Sequence, residues 1–296
     1  MKIVVTGASG HISGKLAETL LKAGHSVTVI GRSATHLEKL IAAGATAAEG
    51  SVEDVEFLSR TFTGADAVYT MVPPNFGASD WKGWIGGIGA NYAKAIKSAG
   101  VKYVVNLSSV GAHLQEGCGP VSGLYRVEQA LNALEGVHVK HLRPMYFYDN
   151  LLANIAMVKN MNIIGGNFGG GENKLSLVSP SDIADAAFEE LNTLSFAGIS
   201  VRYIASDERT GAEVASVLGS AIGKPGLPWV EFSDEQSLQG MLMAGLPQEA
   251  ASNYTEMGQA LRNGTMQADF KANHSVTGKT KLEDFAKVFA QVYHQQ

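Results

Sequence analysis

Short apolar runs alternate with stretches of helical period along the first two thirds of the chain. Residues 2–5 form a β-branched run closed by Thr6-Gly7. Ile12, Leu16, Leu20 and Leu21 follow at the spacing of one helix face, and Ala23-Gly24 closes that helix. Residues 27–30 repeat the strand pattern. Leu37, Leu40 and Ile41, then Val55, Leu58 and Phe62, mark two further helices. Residues 67–72 predict a third clear strand, stopped by Pro73-Pro74, and Tyr92, Ile96 and Ala99 a helix. Residues 103–107 predict a strand ending in Ser108-Ser109. Leu124, Val127, Leu131 and Leu134 then give a helix, and residues 137–142 a strand ending in Arg143-Pro144. Strands that are apolar throughout need cover on both faces, which the alternating helices supply. The pattern predicts an α/β fold with a Rossmann-type doubly wound parallel sheet over residues 1–150.

After Asn150 the rhythm changes. A helix over residues 151–161 leads into Gly165-Gly166 and Gly169-Gly170-Gly171, a glycine run that reads as a surface loop or a flap. Ser179-Pro180-Ser181-Asp182 reads as a capping box with proline in the first helical position. Ile183, Ala187 and Leu191 continue that helix, and residues 201–205 look like one more strand. Residues 175–206 are therefore expected to return to the sheet, while the rest of 151–296 forms a smaller, mainly helical cap. Phe285, Val288, Phe289 and Val292 mark a last helix.

Composition narrows the function classes. With 296 residues, 45% of them hydrophobic, the chain can bury a large core. Its net charge of -5, with Lys and Arg scattered, argues against nucleic acid as a partner. Residues 3–5 are too short an apolar run for a signal peptide. No stretch reaches membrane-spanning length, so a cytoplasmic protein without membrane contact is expected. The single cysteine, Cys118, excludes an internal disulfide. Flanked by Gly117 and Gly119 it reads as exposed, but nothing nearby would activate it. The eight histidines show no metal-ligand spacing, so no metal is expected; His138 and His141 read as structural.

The chemistry lies in the first turn. Gly7-Ala8-Ser9-Gly10-His11-Ile12-Ser13-Gly14 stands between a strand and a helix. Gly7 permits the tight turn, and Gly10 lets the backbone approach a pyrophosphate. The helix amides behind them face the anion, so Gly7, Ser9, Gly10, His11 and Ile12 are candidate cofactor contacts. The second strand ends in Gly31-Arg32-Ser33 rather than in a carboxylate. A carboxylate would repel a ribose 2′-phosphate, whereas a guanidinium pairs with it, so Arg32 and Ser33 favour NADP(H), with NADPH preferred over NADH.

Thr6-Gly7-Ala8-Ser9-Gly10-His11-Ile12, Gly31-Arg32, residues 142–150 and residues 178–184 together resemble the NmrA-like family of atypical short-chain dehydrogenase/reductases. The resemblance covers roughly residues 1–205. It implies a Rossmann domain with a small C-terminal cap and a cleft between them. It also implies one of two roles: NADPH-dependent reduction of quinones and dyes, or regulation by NADP binding without catalysis. The sequence departs from the family pattern in three places. Ser13 stands at the third glycine, with Gly14 one place later. Ser51 follows Gly50 where the family often has Asp, leaving the Ser51 hydroxyl for the adenine edge. The Tyr-x-x-x-Lys pair of related dehydrogenases is missing: with Glu128 as anchor, Leu124 falls at the lysine and Pro120 at the tyrosine. A lysine is needed there to lower a tyrosine pKa, so tyrosine-based alcohol oxidation is not expected. A nucleotide-sugar epimerase needs the same pair and ranks lower.

Ligands of doubly wound sheets sit at the carboxyl ends of the strands. Met71, Val72 and Pro73; Leu107, Ser108 and Ser109; and Pro144, Met145, Tyr146 and Phe147 are the candidate lining of the ribose and nicotinamide. Tyr125 either donates a hydrogen bond to a substrate or is a half-buried helix tyrosine. Of Tyr146, Phe147 and Tyr148, at most two can stack on a flat substrate. Asp149 or Asn150 either caps a helix or, for Asn150, orders the pocket. Trp81 and Trp84 either cover the cofactor as a lid or anchor a crossing helix. The aromatic residues after Pro144 favour an NADPH-dependent reductase acting on a small molecule such as a quinone. The missing acid–base pair equally suits an NADP(H)-sensing regulator that binds a partner protein, through a surface such as the Met- and Ala-rich residues 239–266.

Overall fold

The β-branched run at the N-terminus becomes the central strand of a parallel sheet. In the computed structural model, which describes residues 1–274 and 276–295, β1 (Lys2–Val5) lies between β2 (Ser26–Gly31) and β4 (Ala67–Thr70). Strand β3 (Thr46–Glu49) pairs outside β2, and β5 (Tyr103–Leu107) and β6 (His138–Pro144) extend the other side. Three short strands follow in the chain, β7 (Tyr146–Phe147), β8 (Ile164–Gly166) and β9 (Leu175–Val178), before β10 (Ile199–Ile204) closes the sheet beside β6. The order β10-β6-β5-β4-β1-β2-β3 is a doubly wound Rossmann-type sheet. The β1 side chains alternate between two cores: Ile3 and Val5 pack on the side of α1 (His11–Lys22), Val4 on the side of α3 (Val55–Phe62) and α4 (Trp81–Ala99).

Within the main sheet, two strands depart from the predicted pattern. Strand β3, Thr46-Ala47-Ala48-Glu49, is absent from the sequence reading because it is short, half-exposed and poor in β-branched residues. Its pairing from Thr28↔Thr46 to Gly31↔Glu49 makes it a strand. Strand β4 stops at Thr70 instead of Val72, because the Met71 amide turns to donate to Thr6 Oγ1 (3.0 Å) rather than to a neighbouring strand.

Of residues 175–206, β10 joins the main sheet. Strand β9 pairs instead with β7 and with β11 (Asp207–Arg209) in a separate three-stranded sheet. The proline does start α7 (Pro180–Thr193), and Ser179 Oγ accepts from the Ser181 amide. The reciprocal half of the predicted capping box does not form. The Asp182 carboxylate instead accepts from Ser206 Oγ (2.6 Å) and from the amide and hydroxyl of Thr280, tying the helix start to the C-terminal segment.

The glycine run is not a surface loop. Gly169 and Gly170 are buried, and a Cβ on Gly170 would lie 1.7 Å from Glu231 Oε2, in β12 (Trp229–Glu231). Cys118 is likewise buried, its Sγ 3.4 Å from Ser122 Oγ, and burial pushes its thiol pKa up. The cap helix α10 (Gln248–Arg262) lies directly over that loop. Gly119 has φ +61°, and a Cβ there would come within 2.1 Å of the Asn253 carbonyl oxygen.

Beneath the sheet's carboxyl edge, His141 is fully buried between two amides. Its Nδ1 lies 3.1 Å from Asn106 Nδ2 and its Nε2 2.9 Å from Asn132 Oδ1, an arrangement that suits the neutral ring donating to Asn132. Burial pushes its pKa from 6.5 down to about 4. The unfolded chain therefore binds one more proton than the native one between those values, so stability rises with pH across that window. Denaturant unfolding is expected to show wild-type protein losing up to about 3 kcal/mol on going from the top of the window to the bottom. His141→Gln is expected to be less stable near neutrality and to lose most of that slope.

Candidate functional site

The glycine-rich turn has two glycines with different reasons to be there. Gly7 has φ +65°, and a Cβ on it would lie 2.4 Å from Met71 Sδ, so the protein itself demands glycine. Gly10 has φ -88°, which any residue adopts, and its Cβ would touch only the Gly7 carbonyl oxygen at 3.4 Å. Nothing in the protein requires glycine at position 10, and the space above it is open to something outside the chain. Gly10 is also the N-cap of α1, where no side chain caps the helix and no acidic residue sits in the first turn. Unpaired first-turn amides and the positive end of the helix dipole make this an anion cradle. The third-glycine task falls to Gly14, whose Cβ would lie 3.1 Å from the Ala8 carbonyl oxygen, while Ser13 is buried beside it.

Arg32 is exposed at the end of β2 and enters no ion pair among the described residues. Ser33 follows as the cap of a short 3-10 turn, and its side chain makes no capping bond. Glu49 is occupied by the Ala34 amide, 3.0 Å away. Ser51 Oγ accepts from the Glu53 amide at 3.2 Å. An exposed guanidinium and a free hydroxyl suit a phosphate monoester.

From the turn, a cleft of about 330 Å³ runs along the strand ends to the cap. Ile12, Met71, Val72 and Pro73 line the end nearest the turn. Leu107, Ser108, Ser109, Met145, Tyr146 and Phe147 line its length. Of the sequence-predicted set, Gly7, Ser9, Gly10 and His11 form the turn beyond the cleft, and Arg32, Ser33 and Ser51 lie at the β2 and β3 ends. Pro144 is outside the lining; its carbonyl accepts from the Val110 amide (2.9 Å) and holds that loop. Tyr125 is half-buried on α5 (Val121–Asn132) and also outside the lining. Pro120, Val121 and Leu124 line the cleft where it turns toward the cap.

Two of the three aromatic residues after Met145 line the cleft, but they are the adjacent Tyr146 and Phe147 at the end of the short strand β7, a pair that simple alternation would have separated. Tyr148 is fully buried, stacks on Phe285 at 5.3 Å and donates to the Thr280 carbonyl. Asn150 lines the cleft rather than capping a helix. Asp149 accepts a hydrogen bond from His11 Nδ1 (2.9 Å), fastening the glycine-rich turn to the chain after β6. Trp81 opens α4 and is 4% exposed. It lines the cleft and meets Tyr254 of the cap edge-on at 5.3 Å, while Trp84 packs into the core behind it. The sequence reading missed Pro74, Ile85, Val110, Tyr254, Met257, Leu261 and Met266 as lining residues. The last four fall within residues 239–266, whose Met-rich character was the available signal, but helical spacing alone does not say what that face meets.

The cleft floor rests on a buried polar chain. Ser108 Oγ donates to Glu128 Oε1 at 2.5 Å, and Arg143 grips both Glu128 oxygens at 3.0 and 2.6 Å. Arg143 also donates to the Tyr203 hydroxyl, which donates to Asp269 in α11 (Ala268–Asn273). Burial works against the Arg143 charge, but the Glu128 carboxylate outweighs it and raises the guanidinium pKa. Burial also pushes the Tyr203 phenol up to about 12, with Asp269 adding to the rise. Because Glu128 accepts from Arg143 as a carboxylate, the Ser108 proton is committed to it. Ser108 therefore offers a ligand only lone pairs.

The NmrA-like family profile matches residues 1–280. An NAD(P)H azoreductase of Xenophilus azovorans is 26% identical over 257 residues, covering 86% of this chain and 85% of the relative. Among solved structures, an NADPH-dependent quinone oxidoreductase from Escherichia coli complexed with NADPH superimposes with a TM-score of 0.82 at 22% identity. The match covers 97% of this chain and 99% of that one. The Citrobacter sp. triphenylmethane reductase complexed with NADP(H) gives a TM-score of 0.78 at 22% identity, over 97% and 99% of the two chains. At that identity the two structures show a shared fold.

The two glycines predict opposite phenotypes. Gly10→Ala is expected to keep wild-type stability to within about 0.5 kcal/mol, yet to weaken dinucleotide binding by on the order of tenfold or more. Gly7→Ala is expected to lose at least about 1 kcal/mol of stability from its left-handed backbone alone. Thermal unfolding and calorimetric titration of both variants measure the contrast; a destabilised Gly10→Ala with normal binding would refute the cradle.

Proposed function

The chain belongs to the NmrA-like family, and we propose that within it the protein is an NADPH-dependent reductase of quinones or similar flat electrophiles. One observation carries the reading: an apolar cleft leads from an anion cradle to a cap, and Pro120 and Leu124 stand where related dehydrogenases keep their acid–base pair. Such a site can orient a flat acceptor but cannot deprotonate an alcohol. The azoreductase, quinone oxidoreductase and triphenylmethane reductase among its relatives and structural neighbours fit this reading.

In the proposed site Gly7, Ser9, Gly10, His11 and Ile12 hold the pyrophosphate, Arg32 and Ser33 the 2′-phosphate, and Ser51 the adenine side. Met71, Val72, Pro73, Leu107, Ser108, Ser109, Pro144 and Met145 shape the ribose and nicotinamide end, with Pro144 acting through the loop its carbonyl holds. NADPH, when bound, supplies a hydride. Ser108 accepts a hydrogen bond from a ligand hydroxyl or amide. Tyr146 and Phe147 provide the wall on which a flat acceptor lies, and the cap residues Tyr254 and Met257 exclude water from its other side. Water, rather than Tyr125, is the source of the proton that the reduced acceptor takes up.

Purified protein is expected to oxidise NADPH in the presence of a quinone, followed by loss of the dihydronicotinamide absorbance, and to use NADH poorly. Arg32→Ala is expected to lower kcat/KM for NADPH by on the order of 100-fold while leaving NADH nearly unchanged. Tight NADPH binding without turnover of any acceptor would replace the reductase reading with that of an NADP(H)-sensing regulator.

A further inference from the structure

The cap end of the cleft carries no charge. Ile85 and Leu124 form one wall, and Met257, Leu261 and Met266 form the other. The polar side chains along the cleft belong to Trp81, Ser108, Ser109, Asn150, Tyr146 and Tyr254, all neutral groups, and the Trp81 indole N–H has no hydrogen-bond partner among the described residues. Burial raises the pKa of both tyrosines, so their phenols stay protonated.

The charged residues on the surrounding elements are turned into one another. Lys82, beside Trp81, bonds Glu256 at 2.8 Å and lies 3.6 Å from Glu116, which also takes Arg126 at 2.9 Å. Glu249 accepts from the Trp81 amide and from Asn253 Nδ2. Arg262 is paired with Asp234, Glu128 with Arg143, and Asp149 with His11. Among the described residues, none of these lines the cleft. A ligand charge entering here would leave water and find no partner.

Resting on the reductase reading, we infer that this cleft selects uncharged flat acceptors and rejects both anionic and cationic ones of the same shape. The relatives do not settle this choice, since their names span azo, quinone and triphenylmethane compounds. Met257 is the position from which the choice can be reversed. It is half-buried on α10, lines the cleft, and its unbranched chain matches lysine in reach.

The test is calorimetric binding to the full chain, with and without NADP+, using three probes of one ring system: naphthoquinone, a naphthoquinone sulfonate and a trimethylammonium-substituted naphthoquinone. The uncharged quinone is expected to bind on the order of 100-fold more tightly than either charged probe. Met257→Lys is expected to gain on the order of tenfold in affinity for the sulfonate and to weaken the trimethylammonium quinone further. Binding of charged and uncharged probes within about threefold of one another, with NADPH-dependent quinone reduction intact, would overturn this inference and leave the reductase reading standing. Failure of the quinone to bind or turn over, with NADPH still bound, would overturn both. Should Met257→Lys not fold, the wild-type comparison alone decides.

Discussion

The buried pair of Glu128 and Arg143 holds the site and the cap in one frame. Arg143 ends β6, Glu128 lies on α5, and their two hydrogen bonds are shielded from solvent. Breaking such a pair by removing one partner costs about 3–5 kcal/mol, because the other charge is stranded. Around it the bonds continue to Ser108 at the end of β5, to Tyr203 in β10 and, through Tyr203, to Asp269 in the cap. The cleft floor and the cap are therefore fixed relative to each other by polar bonds beneath the ligand. The cleft itself is left free of charge.

That division follows from the sheet. Parallel strands expose their carboxyl ends along one edge, and the order β10-β6-β5-β4-β1-β2-β3 puts Arg32 and Ser51 on one side of the β1 turn and Met71, Ser108 and Met145 on the other. At the middle of the sheet, the turn after β1 presents amides to an anion. Toward β6 and β10 the same edge is covered by α10, whose Tyr254 and Met257 meet Trp81 and the loop at Gly119. The result is one groove with a polar, solvent-facing end at the turn and a dry end at the cap. His11 and Asp149 fasten the polar end, and the paired carboxylates and cations around α10 fasten the dry one. The groove thus suits a ligand that is anionic along one stretch and flat and neutral at its far end.

Much of this was legible residue by residue. The strand before Gly7, the helix after Gly10 and the arginine at position 32 each carry their meaning locally. A left-handed turn, a helix start and an unopposed guanidinium act through backbone geometry and charge that neighbours in sequence already set. The strand ends at Met71, Ser108 and Met145 were legible because a doubly wound sheet leaves few places for a ligand. By contrast, β3 was illegible: Thr-Ala-Ala-Glu has no intrinsic preference for extension and becomes a strand through its neighbour. The exposure expected of Cys118, Gly169 and Gly170 failed for the same reason, while Gly171 is exposed as expected. Glycine flanks describe the backbone and say nothing about which helix or strand, here α10 or β12, will cover it.

The sequence by itself determined the fold class, the glycine-rich turn between strand and helix and the exposed arginine after the second strand, because each depends on contacts within a few residues or on the period of the pattern. Only the tertiary structure decided which side of α10 faces the cleft, that Tyr125 stands outside it while Leu124 lines it, and that Glu128 takes the Ser108 proton. Those outcomes rest on contacts between residues far apart in the chain. A helix such as α10, with Tyr254, Met257 and Leu261 set among polar residues, can satisfy many partners until packing selects one.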